Sequence, residues 1–324
     1  MKSFEELLSI INTGLEQLSW EREPQGLYAP IAYTLNLGGK RIRPALTLMA
    51  CNLYSEHPEV ALRPALGIEV FHNFTLLHDD IMDRATIRRG KPTVHVKWND
   101  NTAILSGDVM QIASYMLVSE APSHVLKSVL DLFSRTAVEI CEGQQYDMEF
   151  EQRNEVSADE YIEMIRLKTA VLLGCALKTG AIIGGAGTND AANLYAFGEN
   201  IGLAFQLMDD VLDVYGDEKT FGKKIGGDIL CNKKTYLLIH ARQLAEGETA
   251  TTLQALLNGS AATPEEKIDG VRSVYDALGV KQIALDAMEM YYQKALEHLV
   301  KVSVADTRKS ILLQLARDLM NRKD

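Results

Sequence analysis

Cysteine is scarce and scattered in this chain of 324 residues: Cys51, Cys141, Cys175 and Cys231 stand far apart, with no CxxC and no ligand-type spacing. This excludes a disulfide framework and a zinc site, and points to reduced thiols, mostly buried. Basic charge is also short, with 33 Lys and Arg against 44 Asp and Glu and a net charge of −11. Sequence-independent binding to nucleic acid or to an anionic membrane needs the opposite balance. An anionic ligand must therefore be held locally, by metals or by a few placed cations. Long apolar runs are missing: the strongest, Ala170 to Leu177, is closed by Lys178, well short of the roughly 18 residues of a membrane span. The opening MKSFEELLSI places two glutamates where a signal peptide needs an apolar core. These absences predict a soluble, cytoplasmic protein. No P-loop, dinucleotide fingerprint or local nucleophile signature is present.

Proline is the most informative shortage. There are 8, and none lies between Pro122 and Pro264. That interval is rich in Ala, Leu, Glu, Met and Gln, so it predicts helix. Apolar residues recur at helical spacing, as in Phe4, Leu7, Leu8, Ile11 and Leu15. Further helices are predicted over about 40–54, 58–84, 99–120, 122–150, 157–185, 188–216 and 230–245. Three or so more should follow Thr263, where TPEE supplies a cap, a first-position proline and acids against the dipole. No stretch alternates as a strand. With no repeat and no low-complexity linker, the reading is all-α: a single domain over 1–324, one large bundle of about 10–13 helices.

The chemistry begins at Asp79-Asp80-Ile81-Met82-Asp83, near the end of a long apolar helix. Asp79 and Asp83 fall about 40° apart on one helical face. Like charges at that spacing repel, and they sit at the wrong end for the helix dipole. A cluster that costs stability invites a counter-cation, and oxygen-only carboxylates suit Mg²⁺. Asp209-Asp210-Val211-Leu212-Asp213 repeats the motif. With 20 aspartates in the chain, chance supplies about 0.08 copies of this spacing. Gln206 shares the face of the second motif, and His72, two turns before Asp79, shares that of the first.

Cations stand where an acidic chain would need them. Gly38-Gly39-Lys40-Arg41-Ile42-Arg43-Pro44 opens a helix with cations and unsatisfied N–H groups at one point. Arg88-Arg89-Gly90 follows Asp83 by one short loop, and Lys168-Thr169 lies within a helix. A glycine-rich segment carries Lys223, Lys224, Lys233 and Lys234. Taken alone, GGKRIRP reads equally well as an exposed basic turn, Lys168-Thr169 is no signal, and the lysine-bearing segment is more often a solvated turn.

Together they resemble a family. The order GGKRIRP, LLHDDIMDRATIRRGKPTVH, LKTA, FQLMDDVLDVYGD, GKKIGGD is similar to the trans-isoprenyl diphosphate synthases, or polyprenyl synthetases, of the short-chain geranylgeranyl and farnesyl type. The resemblance covers essentially the whole chain. It implies an isoprenoid-synthase fold around a central cavity, a homodimer, and Mg²⁺-dependent head-to-tail condensation of isopentenyl diphosphate with an allylic diphosphate. By the same resemblance Asp79, Asp83 and Asp209 ligate three Mg²⁺ ions, supported by Asp80, Asp210 and Asp213. Arg88, Lys168, Lys223 and Lys233 hold the allylic diphosphate, with Lys224 and Lys234 leaving the register open by one residue. Gly39, Lys40, Arg43, His72 and Arg89 hold isopentenyl diphosphate, while Thr169 and Gln206 face the developing carbocation. The departing diphosphate is the implied base.

Three other readings share these features: a non-catalytic partner subunit, a class-I terpene cyclase, and a metal- or polyphosphate-binding helical protein without turnover. Both aspartate motifs are intact, which speaks against the first. GGKRIRP and the paired RRG speak against the second. Product length is read from the fifth and fourth residues before Asp79. Phe74 and Thr75, one aromatic and one small, resemble a geranylgeranyl-type pocket, so C20 is expected, with C15 the alternative. Ideal helical phase puts Thr75 nearer the acid face than Phe74.

Overall fold

The computed structural model describes residues 1–216 and 225–320, so Lys223 and Lys224 lie outside the described residues. Among those described the fold is all-α, with sixteen α-helices. In chain order they are α1 (Phe4–Glu16), α2 (Gln25–Asn36), α3 (Ile42–Asn52), α4 (Leu62–Met82), α5 (Val94–Lys97), α6 (Asp100–Val118), α7 (Leu126–Gln152) and α8 (Ala158–Ile165). These are followed by α9 (Val171–Gly184), α10 (Thr188–Tyr215), α11 (Gly227–Leu230), α12 (Tyr236–Leu244), α13 (Gly247–Leu257), α14 (Pro264–Leu278), α15 (Val280–Val300) and α16 (Asp306–Met320). The expected cap at Thr263 is present: its hydroxyl accepts from the Glu266 N–H, with Pro264 at the first position. Three helices follow it, as its spacing predicts.

The chain divides into two compact units. The first comprises Met1–Arg135, Cys175–Tyr195 and Val302–Leu312. Its core gathers Leu48, Met49, Phe71, Met110 and Phe133, all essentially inaccessible. The helix α4 is apolar nearly all round, and most of its residues are buried until the acidic end emerges. The second unit comprises Thr136–Gly174, Ala196–Lys301 and Leu313–Asp324. One of its clusters joins the end of α10 to α12 and α14 through Val211, Val214, Leu237, Leu238, Val271 and Tyr275. Another joins α7, α8 and α10 through Phe150, Tyr161, Met164, Leu203 and Leu207.

Four details differ from the sequence reading. The described residues hold sixteen α-helices rather than about 10–13: α2, α5, α11 and α13 are additional, because short segments between turns carry a weak periodic signal. A two-residue antiparallel ribbon pairs Ile87 with Pro92 and Arg88 with Lys91. Its turn residues, Arg89 and Gly90, both have positive φ, 52° and 71°, as a tight primed hairpin turn requires. The run Ala158–Gly184 is in fact long and apolar enough to cross a membrane by length and composition, although 72% of its most apolar window is buried inside the protein. Continuous packing, rather than lipid, explains its hydropathy. Finally, the thiols are not mostly buried: Cys51 and Cys175 are, whereas Cys141 and Cys231 are exposed.

Candidate active site

In the first unit the cations of GGKRIRP and RRG meet the acidic end of α4. Gly38 and Gly39 adopt φ of 85° and 145°, and Arg41 caps α3 in a left-handed conformation. At Gly39 a Cβ atom would stand 3.0 Å from the Arg89 guanidinium, so glycine is what lets the two segments touch. Arg89 donates to the Gly38 carbonyl. Arg41, 8% exposed, is taken up by Glu69 and by the Leu35 carbonyl at 2.7 Å. Arg43 Nη1 lies 3.2 Å from His72 Nε2, and Arg43 Nε is buried without a hydrogen-bond partner. Burial, with Arg89 adding to it, lowers Arg43 to about 10, so it remains a cation at neutral pH. Burial and then the four arginines 43, 89, 88 and 41 push His72 well below the usual histidine range, so it stands neutral. A neutral imidazole amid guanidinium groups is an environment that an anion would relieve.

The first acidic motif divides by helical face. Asp80 is buried, and Arg88 grips it through Nε, at 2.9 and 2.8 Å from its two oxygens, and through Nη2 at 2.8 Å. Burial raises the Asp80 carboxyl despite that partner. Asp79 is half-buried, and Asp83, the C-cap of α4, is exposed. Phe74 is buried against Phe71 and His78, with ring centroids 5.4 and 4.8 Å apart. The Thr75 hydroxyl donates to the His72 carbonyl at 2.8 Å. Lys40 is exposed.

In the second unit a cavity of about 200 Å³ is lined by Asp147, Lys168, Thr169, Gln206, Asp209, Asp210, Asp213, Asp228 and Lys233, among others. Lys168 and Thr169 reach it from a π turn, Arg166–Ala170, inserted between α8 and α9. Such turns re-aim side chains within an otherwise regular helix. Gly143 of α7 sits against this turn, where a Cβ would come within 2.3 Å of the Lys168 nitrogen. Thr169 Oγ1 lies 3.4 Å from Gln206 Oε1, and Gln206 Nε2 donates to Asp210 at 3.3 Å. Tyr161, buried, donates to the other Asp210 oxygen at 2.5 Å. Burial and then the Asp228 carboxylate push Asp210 up to about 8. The Asp213 carboxylate accepts the Asp228 N–H at 3.1 Å. Lys168 and Lys233 both reach Asp147, at 2.5 and 3.5 Å. Lys234 instead donates to the Glu151 carbonyl at 2.7 Å, so Lys233 is the cavity lysine of that pair.

Among the described residues no three His, Cys, Asp or Glu side chains close around a point that would hold a metal. The donor set nevertheless fits Mg²⁺, which takes only one or two carboxylates and completes its shell with water and phosphate oxygen. Asp80 and Asp210 are buried and engaged by protein donors; Asp79 and Asp209 are half-buried and Asp83 is exposed.

Residues 24–278 match the model of the polyprenyl synthetase family. The chain belongs to this family. This polyprenyl synthetase is 38% identical to a geranylgeranyl diphosphate synthase of Methanosarcina mazei over 97% of this chain and 95% of that one. It is 38% identical to a geranylfarnesyl diphosphate synthase of Natronomonas pharaonis over 72% of this chain and 74% of that one. Among solved structures, a geranylgeranyl pyrophosphate synthase superposes with a TM-score of 0.94 at 46% identity, covering both chains completely. As in its relatives' names, the synthetase is a prenyltransferase, and its all-α architecture agrees with theirs. Sequence reasoning missed Glu69, Asp147, Tyr161 and Asp228 as parts of these clusters. Tyr161 and Asp147 lie in helices without a motif, so only the packing of α7, α8 and α10 brings them to the cavity.

Proposed function

We propose that this enzyme condenses isopentenyl diphosphate head-to-tail with a short allylic diphosphate, giving a prenyl diphosphate of C20, with C15 as the alternative. One observation carries the reading: carboxylates, two lysines and two uncharged oxygen-bearing side chains, Thr169 and Gln206, share the second unit's cavity. That is the set needed to take up diphosphate charge as an allylic C–O bond ionises, and to face the resulting cation with dipoles rather than nucleophiles. Lys168 and Lys233 hold the allylic diphosphate together with Arg88. Arg43, with its buried, unpartnered Nε, binds isopentenyl diphosphate together with neutral His72, Arg89, Lys40 and the Gly39 backbone. Asp79, Asp83 and Asp209 would hold Mg²⁺, three ions per site, with Asp80, Asp210 and Asp213 behind them. When bound, the metal neutralises the leaving diphosphate. Thr169 and Gln206 are positioned by each other and by Asp210, which keeps their oxygens directed. Proton loss from the condensed cation goes to the departing diphosphate, as the family resemblance implies; among the described residues lining the cavity there is no histidine. Phe74 and Thr75 set the depth available to the growing tail.

The whole chain works as one catalytic domain in the cytoplasm, paired with a second copy. On α6, Leu105, Ile112 and Met116 are 57, 62 and 65% exposed, and with half-buried Val109 they form an apolar stripe at helical spacing. The deciding assay supplies Mg²⁺, dimethylallyl diphosphate and isopentenyl diphosphate. Chain-extended diphosphates support the proposal. Hydrocarbons from a preformed allylic diphosphate would support a cyclase, and bound but unchanged substrate a binding protein without turnover.

A further inference from the structure

Asp147 is a carboxylate for which the proposed reaction has no direct task. It belongs to α7, is 8% exposed, and lines the second unit's cavity. Its Oδ2 atom accepts from Lys168 Nζ at 2.5 Å and lies 3.5 Å from Lys233 Nζ. The two lysines come from unrelated segments, the π turn and the strand of chain after α11. Lys233 and then Lys168 hold the Asp147 carboxyl below the usual range, although its burial acts in the opposite direction. Two ammonium groups converge on one oxygen atom only if that oxygen carries charge, because their mutual repulsion in a half-buried cavity is otherwise unopposed. A lysine also has a long, flexible stem, so its head group is fixed only by what it binds. Asp147 is short and set in a helix that touches the π turn at Gly143. It is therefore the rigid member of the trio.

We propose that Asp147 is a positioning residue, an internal counter-anion that holds the Lys168 and Lys233 ammonium groups side by side, ready to meet the diphosphate of the allylic substrate. This rests on the reaction proposed above. Asp147 makes no contact with the reacting carbons in this role and acts through the two lysines. Pre-ordering both head groups removes a cost that diphosphate binding would otherwise meet.

Asp147→Asn keeps the shape and removes the charge. In that variant KM for the allylic diphosphate should rise about tenfold, while KM for isopentenyl diphosphate stays within about twofold. Binding of inorganic diphosphate in the presence of Mg²⁺, followed by titration calorimetry, should weaken by a similar factor. In a Lys168→Met, Lys233→Met background the same substitution should change diphosphate affinity by less than about twofold, because its route of action is gone. Asp147→Glu restores the charge one methylene away and should recover most of the lost affinity; it also decides the matter if the Asn variant fails to fold. Equal losses in both backgrounds, equal effects on both KM values, or tighter diphosphate binding by Asp147→Asn would each overturn the proposal. The calorimetric arm needs no turnover, so it stands even if the enzyme proves not to transfer prenyl groups.

Discussion

Asp79 and Asp83 stand one turn apart at the C-terminal end of α4, where their mutual repulsion and the helix dipole both act against them. The proposed metal-ligand role accounts for two like charges in that position. Asp79→Ala or Asp209→Ala should therefore lower turnover about a thousandfold, comparable to losing a main charge-stabilising group, while the unliganded melting temperature stays level or rises. Near-normal rates in either variant would remove the metal assignment. Asp190 shows the opposite logic, a carboxylate kept for stability. It accepts from the Ser303 N–H at 3.0 Å, the Ser303 hydroxyl at 2.6 Å and the Tyr54 hydroxyl at 3.0 Å. Burial alone would raise its carboxyl, but these donors, with Lys309 nearby, hold it below the usual range. A depressed carboxylate stabilises the fold above the unfolded pKa, and that contribution is lost as pH falls through the folded value. Asp190→Asn should cost about 1–2 kcal/mol at pH 7. The difference from the wild type should shrink in urea titrations performed below about pH 4.

At the scale of single elements, α4 carries both the acid motif and the residues expected to limit product length. The structure places Phe74 against His78, whose imidazole contacts α6 through the Ile104 carbonyl at 3.2 Å. The ring thus lies toward α6, while the Thr75 hydroxyl is turned back onto the His72 carbonyl of its own helix. Behind Phe74, Phe71 packs on Phe133, and Phe133 on Tyr115, at centroid distances of 5.2 and 4.9 Å. Phe74→Ala should lengthen the main product, but by about one five-carbon unit, close to one helical turn of 5.4 Å, because the Phe71 ring remains. Thr75→Phe should shorten it. Chromatography showing an unchanged product from both variants would place the limit elsewhere. The π turn gives a second test at this scale. Gly143→Ala forces a methyl into the Lys168 backbone, so it should reduce kcat well before it reduces helix content measured by circular dichroism.

For the whole molecule, the apolar stripe on α6 predicts association. Leu105, Ile112 and Met116 are exposed along one helical face, the kind of apolar patch that a partner copy would cover. Light scattering at micromolar concentration should give a dimer, and Ile112→Glu should shift it toward monomer, since each copy would present a buried charge. A wild-type monomer would contradict this. Helix content was legible in the sequence because it depends on local quantities, namely proline absence, periodicity and caps such as Thr263-Pro264. The two aspartate motifs were legible for the same reason, since each is a fixed spacing on one helix. What determined their partners was not local. Asp80 turns to Arg88 because the Arg89-Gly90 turn brings that guanidinium back over α4. Lys233 rather than Lys234 enters the cavity because a buried carboxylate on α7 awaits it, 86 residues away. Asp147 and Tyr161 carry no motif at all, and only the packing of their helices makes them part of the site. The sequence alone nominated the groups proposed for the chemistry. The tertiary structure decided which of them are held, and by what, because the energy of a buried charge depends on neighbours that chain order does not reveal.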